Sequence, residues 1–132
     1  MGGPSKKHTI LIIEDEQPTR KALVDKFSRE DFSVLEAENG EDGLIIAQQE
    51  RPDLILLDIV MPKMDGLTML KKIRQADEWG KQVPVIILTN LTSADDQRNH
   101  AVAELEPTFY LVKTDWKIED VVAKVKERLG IK

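Results

Sequence analysis

The sequence feature that most limits the fold is a short apolar run, Leu54-Ile55-Leu56-Leu57, near the middle of the chain. Pro52 and Asp53 precede the run, and a segment containing Pro62 and Gly66 follows it. A short apolar run between turn-forming residues is typical of a strand buried on both faces, and such strands belong to parallel sheets. The run therefore predicts a parallel sheet that is covered on both sides.

Short apolar runs and helical patterns alternate five times along the chain, which predicts an α/β fold with a doubly wound, five-stranded parallel sheet. The predicted strands are residues 9–13, 32–36, 54–57, 83–88 and 108–112, and the fourth predicted helix covers about Ala94 to Glu104. Residues 79–82 are predicted to form a loop. The residues predicted to face the core are Ala22, Leu23 and Phe27 in the first helix and Leu44, Ile45 and Ala47 in the second.

The length, charge and cysteine content of the chain exclude several classes of protein. The chain has 132 residues, enough for one domain with a substantial core. Its 19 basic and 24 acidic residues give a net charge of −5, which argues against direct nucleic-acid binding. It contains no cysteine, so disulfides and cysteine-based metal sites are excluded.

No apolar run approaches the roughly 18 to 20 residues that a membrane span requires, so no membrane association is expected. Residues 1–8 lack the apolar core of a signal peptide and are predicted to be a flexible leader. One folded domain is predicted at residues 9–130, and residues 131–132 form the C-terminal end. The expected location is the cytoplasm.

Polar side chains follow four of the predicted strands: Glu14 and Asp15 after the first, Asp58 after the third, Thr89 after the fourth and Lys113 after the fifth. The carboxyl ends of parallel strands converge at one edge of the sheet. Three carboxylates brought together repel one another unless cations compensate. Lys113 supplies one positive charge, and a hard cation such as Mg²⁺ suits the remaining carboxylates.

The same set of side chains suits a phosphoryl group. Lys113 and a metal ion would neutralise its oxygens, and the Thr89 hydroxyl would donate a hydrogen bond to one of them. Asp58 would then be the nucleophile and form an acyl phosphate. No His, Cys or Ser stands at these strand ends, which argues against acyl-transfer chemistry.

With these residues the chain resembles the receiver domain of bacterial two-component response regulators, a (βα)5 fold of the flavodoxin-like type. The resemblance covers about Thr9 to Leu129, and it includes the segment from Glu38 to Leu44 at the entry to the second helix as well as four further matches. These four matches are Glu14-Asp15-Glu16, the stretch from Pro52 to Gly66, Thr89, and Tyr110-Leu111-Val112-Lys113.

The resemblance implies a role for each site residue. Asp58 would accept a phosphoryl group from a kinase phosphohistidine. Asp15, Asp58 and the main-chain carbonyl of Val60 would bind Mg²⁺, and Glu14 would fill the other acidic position. The residues implied at the phosphoryl group and in the switch are Lys113 and Thr89, which contact its oxygens, and Tyr110, which swings inward when Thr89 moves.

The resemblance also implies the partners. The phosphoryl donor would be a sensor histidine kinase or a phosphotransfer protein, and the signal would pass to a downstream effector protein or to an output domain. The face formed by the fourth predicted helix, the fifth strand and the last helix would carry the signal, and a homodimer could form through it. Such a protein is not an enzyme beyond its own phosphorylation and dephosphorylation.

Three other functions remain open. A degenerate receiver would bind proteins without phosphorylation; Thr114, where the family usually has a proline joined by a cis bond, keeps this alternative open. A haloacid dehalogenase-type phosphatase would require a general-acid Asp where the chain has Val60. A flavin-binding module would require a phosphate-binding loop where Glu14-Asp15-Glu16 would repel phosphate.

Overall fold

The computed structural model describes residues 8–58, 64, 66–89, 109–112 and 117–131, with the main chain alone described for Thr89 and Phe109–Val112. The strands are β1 (Thr9–Ile13), β2 (Ser33–Ala37), β3 (Leu54–Asp58), β4 (Val85–Thr89) and β5 (Phe109–Val112). The helices are α1 (Gln17–Arg29), α2 (Gly40–Glu50), α3 (Gly66–Ala76), α4 (Glu78–Gln82) and α5 (Ile118–Leu129).

All five strands pair in parallel, in the order β2-β1-β3-β4-β5. This arrangement confirms the predicted doubly wound, five-stranded sheet. The register aligns one row of residues across the whole sheet, close to its carboxyl edge. That row is Ala37, Ile13, Leu57, Ile87 and Tyr110, in the order of the strands.

The sheet separates two hydrophobic clusters. Successive side chains of a strand point to opposite faces, so each buried strand serves both clusters. In the run 54–57, Ile55 and Leu57 belong to the cluster under α2 and α3, whereas Leu54 and Leu56 belong to the cluster under α1 and α5. All four side chains are at most 1% exposed, which confirms that this strand is buried on both faces.

The predicted loop at residues 79–82 was wrong, because these residues belong to the short helix α4. The Asp77 side chain accepts a 2.8 Å hydrogen bond from the main-chain amide of Gly80 and so caps the helix. Nη1 of Arg74 donates to the carbonyls of Gly80 and Val83, at 2.8 and 2.7 Å. These local hydrogen bonds stabilise a turn of helix that lacks an apolar repeat.

Two of the residues predicted to face the core are exposed. Ala22 in α1 lies in solvent, and the Ile45 side chain in α2 is 49% exposed. In α2, four consecutive apolar residues left the buried face ambiguous. The buried positions are Gly40, Gly43 and Ala47, which follow one another at intervals of about one helical turn.

The start of α2 lies next to the segment that follows β3. The Asn39 side chain accepts a 2.8 Å hydrogen bond from the amide of Asp42 and so caps the N-terminus of α2. At Gly40 an added Cβ would fall well inside van der Waals contact with the main-chain oxygen of Met64. Met64, which lies between β3 and α3 in the sequence, therefore approaches the first residue of α2 closely.

No helix in the described part of the chain combines the length and the apolar character needed to cross a membrane. The fourth predicted helix, at about 94–104, lies outside the described residues.

Candidate functional site

The sheet register brings the acidic residues of β1 and β3 together. Ile13 pairs with Leu57, so the residues that follow, Glu14 and Asp58, lie side by side at the carboxyl edge of the sheet. One carboxylate oxygen from each of Glu14, Asp15 and Asp58 lies within 4.8 Å of the others. We call these three residues the acid cluster.

The acid cluster is partly buried. Glu14 is 2% exposed and Asp58 is 4% exposed, whereas Asp15 lies in solvent. Negative charges at this separation repel one another, and burial strengthens the repulsion because less water screens it. The cluster therefore combines two inward carboxylates with one that is open to an approaching ligand.

The turn that carries Glu14 and Asp15 is fixed by several hydrogen bonds. The amide of Glu14 donates to the carbonyl of Ala37 at 3.1 Å, which extends the β1–β2 pairing by one residue. The amide of Glu16 donates to Oε2 of Glu14 at 3.2 Å. The carbonyl of Glu14 accepts a 2.9 Å hydrogen bond from Nη1 of Arg20. The main chain of this turn is thus held from both sides.

The chemistry of the acid cluster suits a divalent cation. Three carboxylates offer the oxygen ligands that Mg²⁺ and Ca²⁺ bind, and one of the three, Asp15, is exposed. Among the residues that the structure describes, no nitrogen or sulfur ligand joins the cluster, and its oxygen ligands favour hard cations. The residues present could therefore hold a magnesium ion.

The other predicted site residues are described in part or not at all. Thr89 is the last residue of β4, and its main chain pairs with Val112. Asp58 pairs with Leu88, so the main chain of Thr89 lies one residue further toward the carboxyl edge on the neighbouring strand. Tyr110 lies within β5, paired with Ile87. Val60 and Lys113 lie outside the described residues, as does the Lys113–Thr114 bond.

One residue beside the cluster was not predicted from the sequence. Arg20 lies in the first part of α1 and bonds to the turn between β1 and α1. Its position five residues after Asp15 was the available signal, because the first turns of a helix that follows a strand lie near that strand's end. A lone basic residue in a mixed-charge helix rarely stands out without the structure.

Comparison with known proteins identifies a matching family. A family model described as the response regulator receiver domain matches residues 10–126. The transcriptional regulatory protein AfsQ1 of Streptomyces coelicolor is 41% identical over 81 residues, which are 61% of this chain and 34% of that protein. Sporulation initiation phosphotransferase F of Bacillus subtilis is 41% identical over 80 residues, which are 61% of this chain and 62% of that protein. The chain thus spans less than two thirds of either relative.

A solved structure shares the fold. A response regulator receiver domain protein, described as CheY-like, from Methanospirillum hungatei superposes with a TM-score of 0.85. The match covers 95% of this chain and 95% of that chain at 23% identity. This likeness shows the same arrangement of helices around a parallel sheet.

Proposed function

This chain belongs to the response regulator receiver domain family, and on that premise we propose that it is a phosphorylation-dependent signalling switch. Asp58 accepts a phosphoryl group from the phosphohistidine of a sensor histidine kinase or a phosphotransfer protein. The observation that carries the proposal is the acid cluster, whose three carboxylate oxygens lie within 4.8 Å of one another at the carboxyl edge of the sheet.

In the proposed reaction a carboxylate oxygen of Asp58 attacks the phosphorus atom. The new O–P bond makes an acyl phosphate, the P–N bond to the donor histidine breaks, and the bonding electrons leave with the histidine nitrogen. Asp58 is held for this attack at the end of a buried strand, 4% exposed.

The proposed ligands of a magnesium ion are Asp15, Asp58 and the Val60 carbonyl, with Glu14 in the other acidic position. When bound, Mg²⁺ would neutralise charge on the phosphoryl oxygens and on the carboxylates. Lys113 and Thr89 are proposed to contact the phosphoryl oxygens, because Thr89 ends β4 and Lys113 comes directly after β5 in the sequence.

The proposed path of the signal starts at Thr89. Movement of Thr89 toward the phosphoryl group leaves space for Tyr110 to turn inward, since both residues lie on neighbouring strands. This movement would then change which partner binds the face formed by the 94–104 segment, β5 and α5. That partner is proposed to be an effector protein, an output domain or a second copy of the chain, with no direct contact to nucleic acid or membrane.

The experiment that tests the function is incubation with Mg²⁺ and acetyl phosphate, followed by intact mass measurement. The wild-type chain should gain one phosphoryl group, and Asp58→Asn should gain none. Asp53→Asn is the matched control, because Asp53 lies just before the opposite end of the same strand and should leave the adduct unchanged.

A full adduct on Asp58→Asn would remove Asp58 as the acceptor. A wild-type chain that gains no phosphoryl group from either acetyl phosphate or a phosphorylated kinase would favour the second candidate, a receiver that binds proteins without phosphorylation. Thr114, in place of the proline that is usual in the family, is the observation that supports this candidate.

A further inference from the structure

We propose that Arg20 is a positioning residue for the acid cluster and that it sets the affinity of the cluster for Mg²⁺. This inference rests on the metal site of the proposed function. It concerns a residue outside the set of metal ligands, and its test measures binding rather than phosphorylation.

Arg20 bonds to two parts of the chain at once. Its Nη1 donates to the carbonyl of Glu14 at 2.9 Å, and its Nε donates to Oε1 of Glu36 at 3.1 Å. The Arg20 side chain is 14% exposed, whereas that of Glu36 is 54% exposed. The planar guanidinium therefore spans from the end of β2 to the turn that follows β1.

The carbonyl that Arg20 contacts belongs to the peptide bond between Glu14 and Asp15. Fixing that carbonyl fixes the plane of the peptide, and the plane sets the direction in which the Asp15 main chain leaves Glu14. The main-chain amide of Arg20 also donates to the carbonyl of Glu16 at 2.9 Å. One residue of α1 thus restrains both ends of the turn that presents the acids.

The charge of Arg20 and its restraint on the turn predict opposite effects on the affinity of the acid cluster for Mg²⁺. A guanidinium near the cluster repels a cation, so charge alone would make Mg²⁺ bind more tightly once Arg20 is removed. Loss of the restraint would make Mg²⁺ bind more weakly, because the acids would have to be ordered on binding. The ion pair with Glu36 partly offsets the charge of Arg20. We therefore expect the loss of the restraint to outweigh the loss of the charge.

The test is calorimetric titration of the full chain with Mg²⁺. Arg20→Ala should raise the Kd about 10-fold, the effect typical of losing a residue that orients a ligand. Arg20→Lys should show a smaller rise, because lysine keeps the charge but lacks the fork that reaches two acceptors. Lys21→Ala, the matched control, removes an exposed positive charge from the next position and should leave the Kd unchanged or slightly lower.

Thermal melts separate positioning from a general loss of stability. If Arg20 positions the acids, the rise in Tm on adding Mg²⁺ should be smaller in Arg20→Ala than in the wild type at the same concentration. An unchanged Kd, with the same loss of Tm in Mg²⁺ and in chelator, would overturn the proposal. A lower Kd in Arg20→Ala would also overturn it.

A second pair of variants covers the case in which Arg20→Ala does not fold. Glu36→Ala frees the outer end of the guanidinium, and Glu38→Ala removes an equal charge from an exposed position two residues away. Glu36→Ala should raise the Kd more than Glu38→Ala; equal effects would overturn the proposal.

The two proposals fail in different ways. Wild-type chain that binds no Mg²⁺ would overturn the metal site and this inference together. Mg²⁺ binding that depends on Arg20, in a chain that gains no phosphoryl group, would overturn the phosphorylation alone.

Discussion

Nζ of Lys126 in α5 donates a hydrogen bond of 2.5 Å to Oε1 of Glu30, which is the C-cap of α1. Lys26, one turn before Glu30, lies 3.8 Å from the other carboxylate oxygen. The hydrogen bond from Lys126, followed by the charges of both lysines, lowers the pKa of Glu30 below its ordinary value of 4.5. The Lys126–Glu30 ion pair joins α5 to α1, and both helices cover the same face of the sheet.

The first prediction concerns pH. Folding favours the ionised form of Glu30, because its pKa is lower in the folded chain than in the unfolded chain. The stabilisation is therefore complete above pH 4.5 and is lost as the pH falls through the lower folded-state pKa. Urea melts should show Glu30→Gln to be less stable than wild type at pH 7, with a difference that shrinks below pH 4.5.

Glu119→Gln is the control for the pH series, because Glu119 is an exposed acid in the first turn of α5. Its difference from wild type should not follow the same pH dependence. A Glu30→Gln difference that stays constant down to low pH would contradict the link between Glu30 and the two lysines.

The second prediction concerns the acid cluster. Mg²⁺ at ten times its dissociation constant should stabilise the folded chain by about 1.4 kcal/mol. Asp58→Asn should stabilise the metal-free chain, because it removes one of three carboxylates that repel one another within 4.8 Å. Melts in Mg²⁺ and in chelator provide both measurements, and a midpoint that saturating Mg²⁺ leaves unchanged would contradict the site.

The third prediction compares two glycines of α2. Gly40→Ala should destabilise the chain by about 1–3 kcal/mol, because its Cβ would collide with the main-chain oxygen of Met64. At Gly43 the Cβ would meet side-chain atoms only, Cδ1 of Ile13 at 2.6 Å and Cγ1 at 2.9 Å. Gly43→Ala should cost less, since alanine also favours a helix interior. Chemical denaturation measures both, and equal costs would contradict the described approach of Met64.

The fourth prediction concerns the N-cap of α2. Asn39→Ala should cost about 1 kcal/mol, because the amide of Asp42 loses its 2.8 Å hydrogen bond. Asn39→Ser should recover most of the loss, since a serine hydroxyl can also accept from the helix N-terminus. A serine variant as unstable as the alanine variant would indicate that Asn39 acts through packing instead.

The sequence predicted the architecture and the grouping of the acids for one physical reason. Parallel strands in register place their carboxyl ends together, so recognising β1 and β3 was enough to bring Glu14 next to Asp58. The strand pattern was clear because both faces of these strands are buried. The roles of Asp58, Thr89, Tyr110 and Lys113 stay predictions.

The sequence could not supply the features that depend on single hydrogen bonds or on a choice between helix faces. Hydrogen bonds from the main chain of α4 to Asp77 and from Arg74 to one of its carbonyls stabilise this helix, which has no apolar repeat. The sequence predicts an inward Ile45 because it lies in a run of four apolar residues, whereas the buried side of α2 is the one that carries Gly43 and Ala47. The contact between Arg20 and Glu14 could not be predicted from the sequence, because it depends on the position of α1 relative to the end of β1.

The stacking of Arg51 over Trp79 lies at the far end of the sheet from the acid cluster. The guanidinium carbon is 5.7 Å from the ring centroid, and both residues border a recess with Pro52 and Pro84, where β3 and β4 begin. This indole therefore gives the chain an optical reporter remote from its chemistry. In a Trp116→Phe background, its emission should follow unfolding and stay constant during a Mg²⁺ titration. A change in emission while the chain stays folded would then report a conformational change transmitted along the strands from the acid cluster to Trp79.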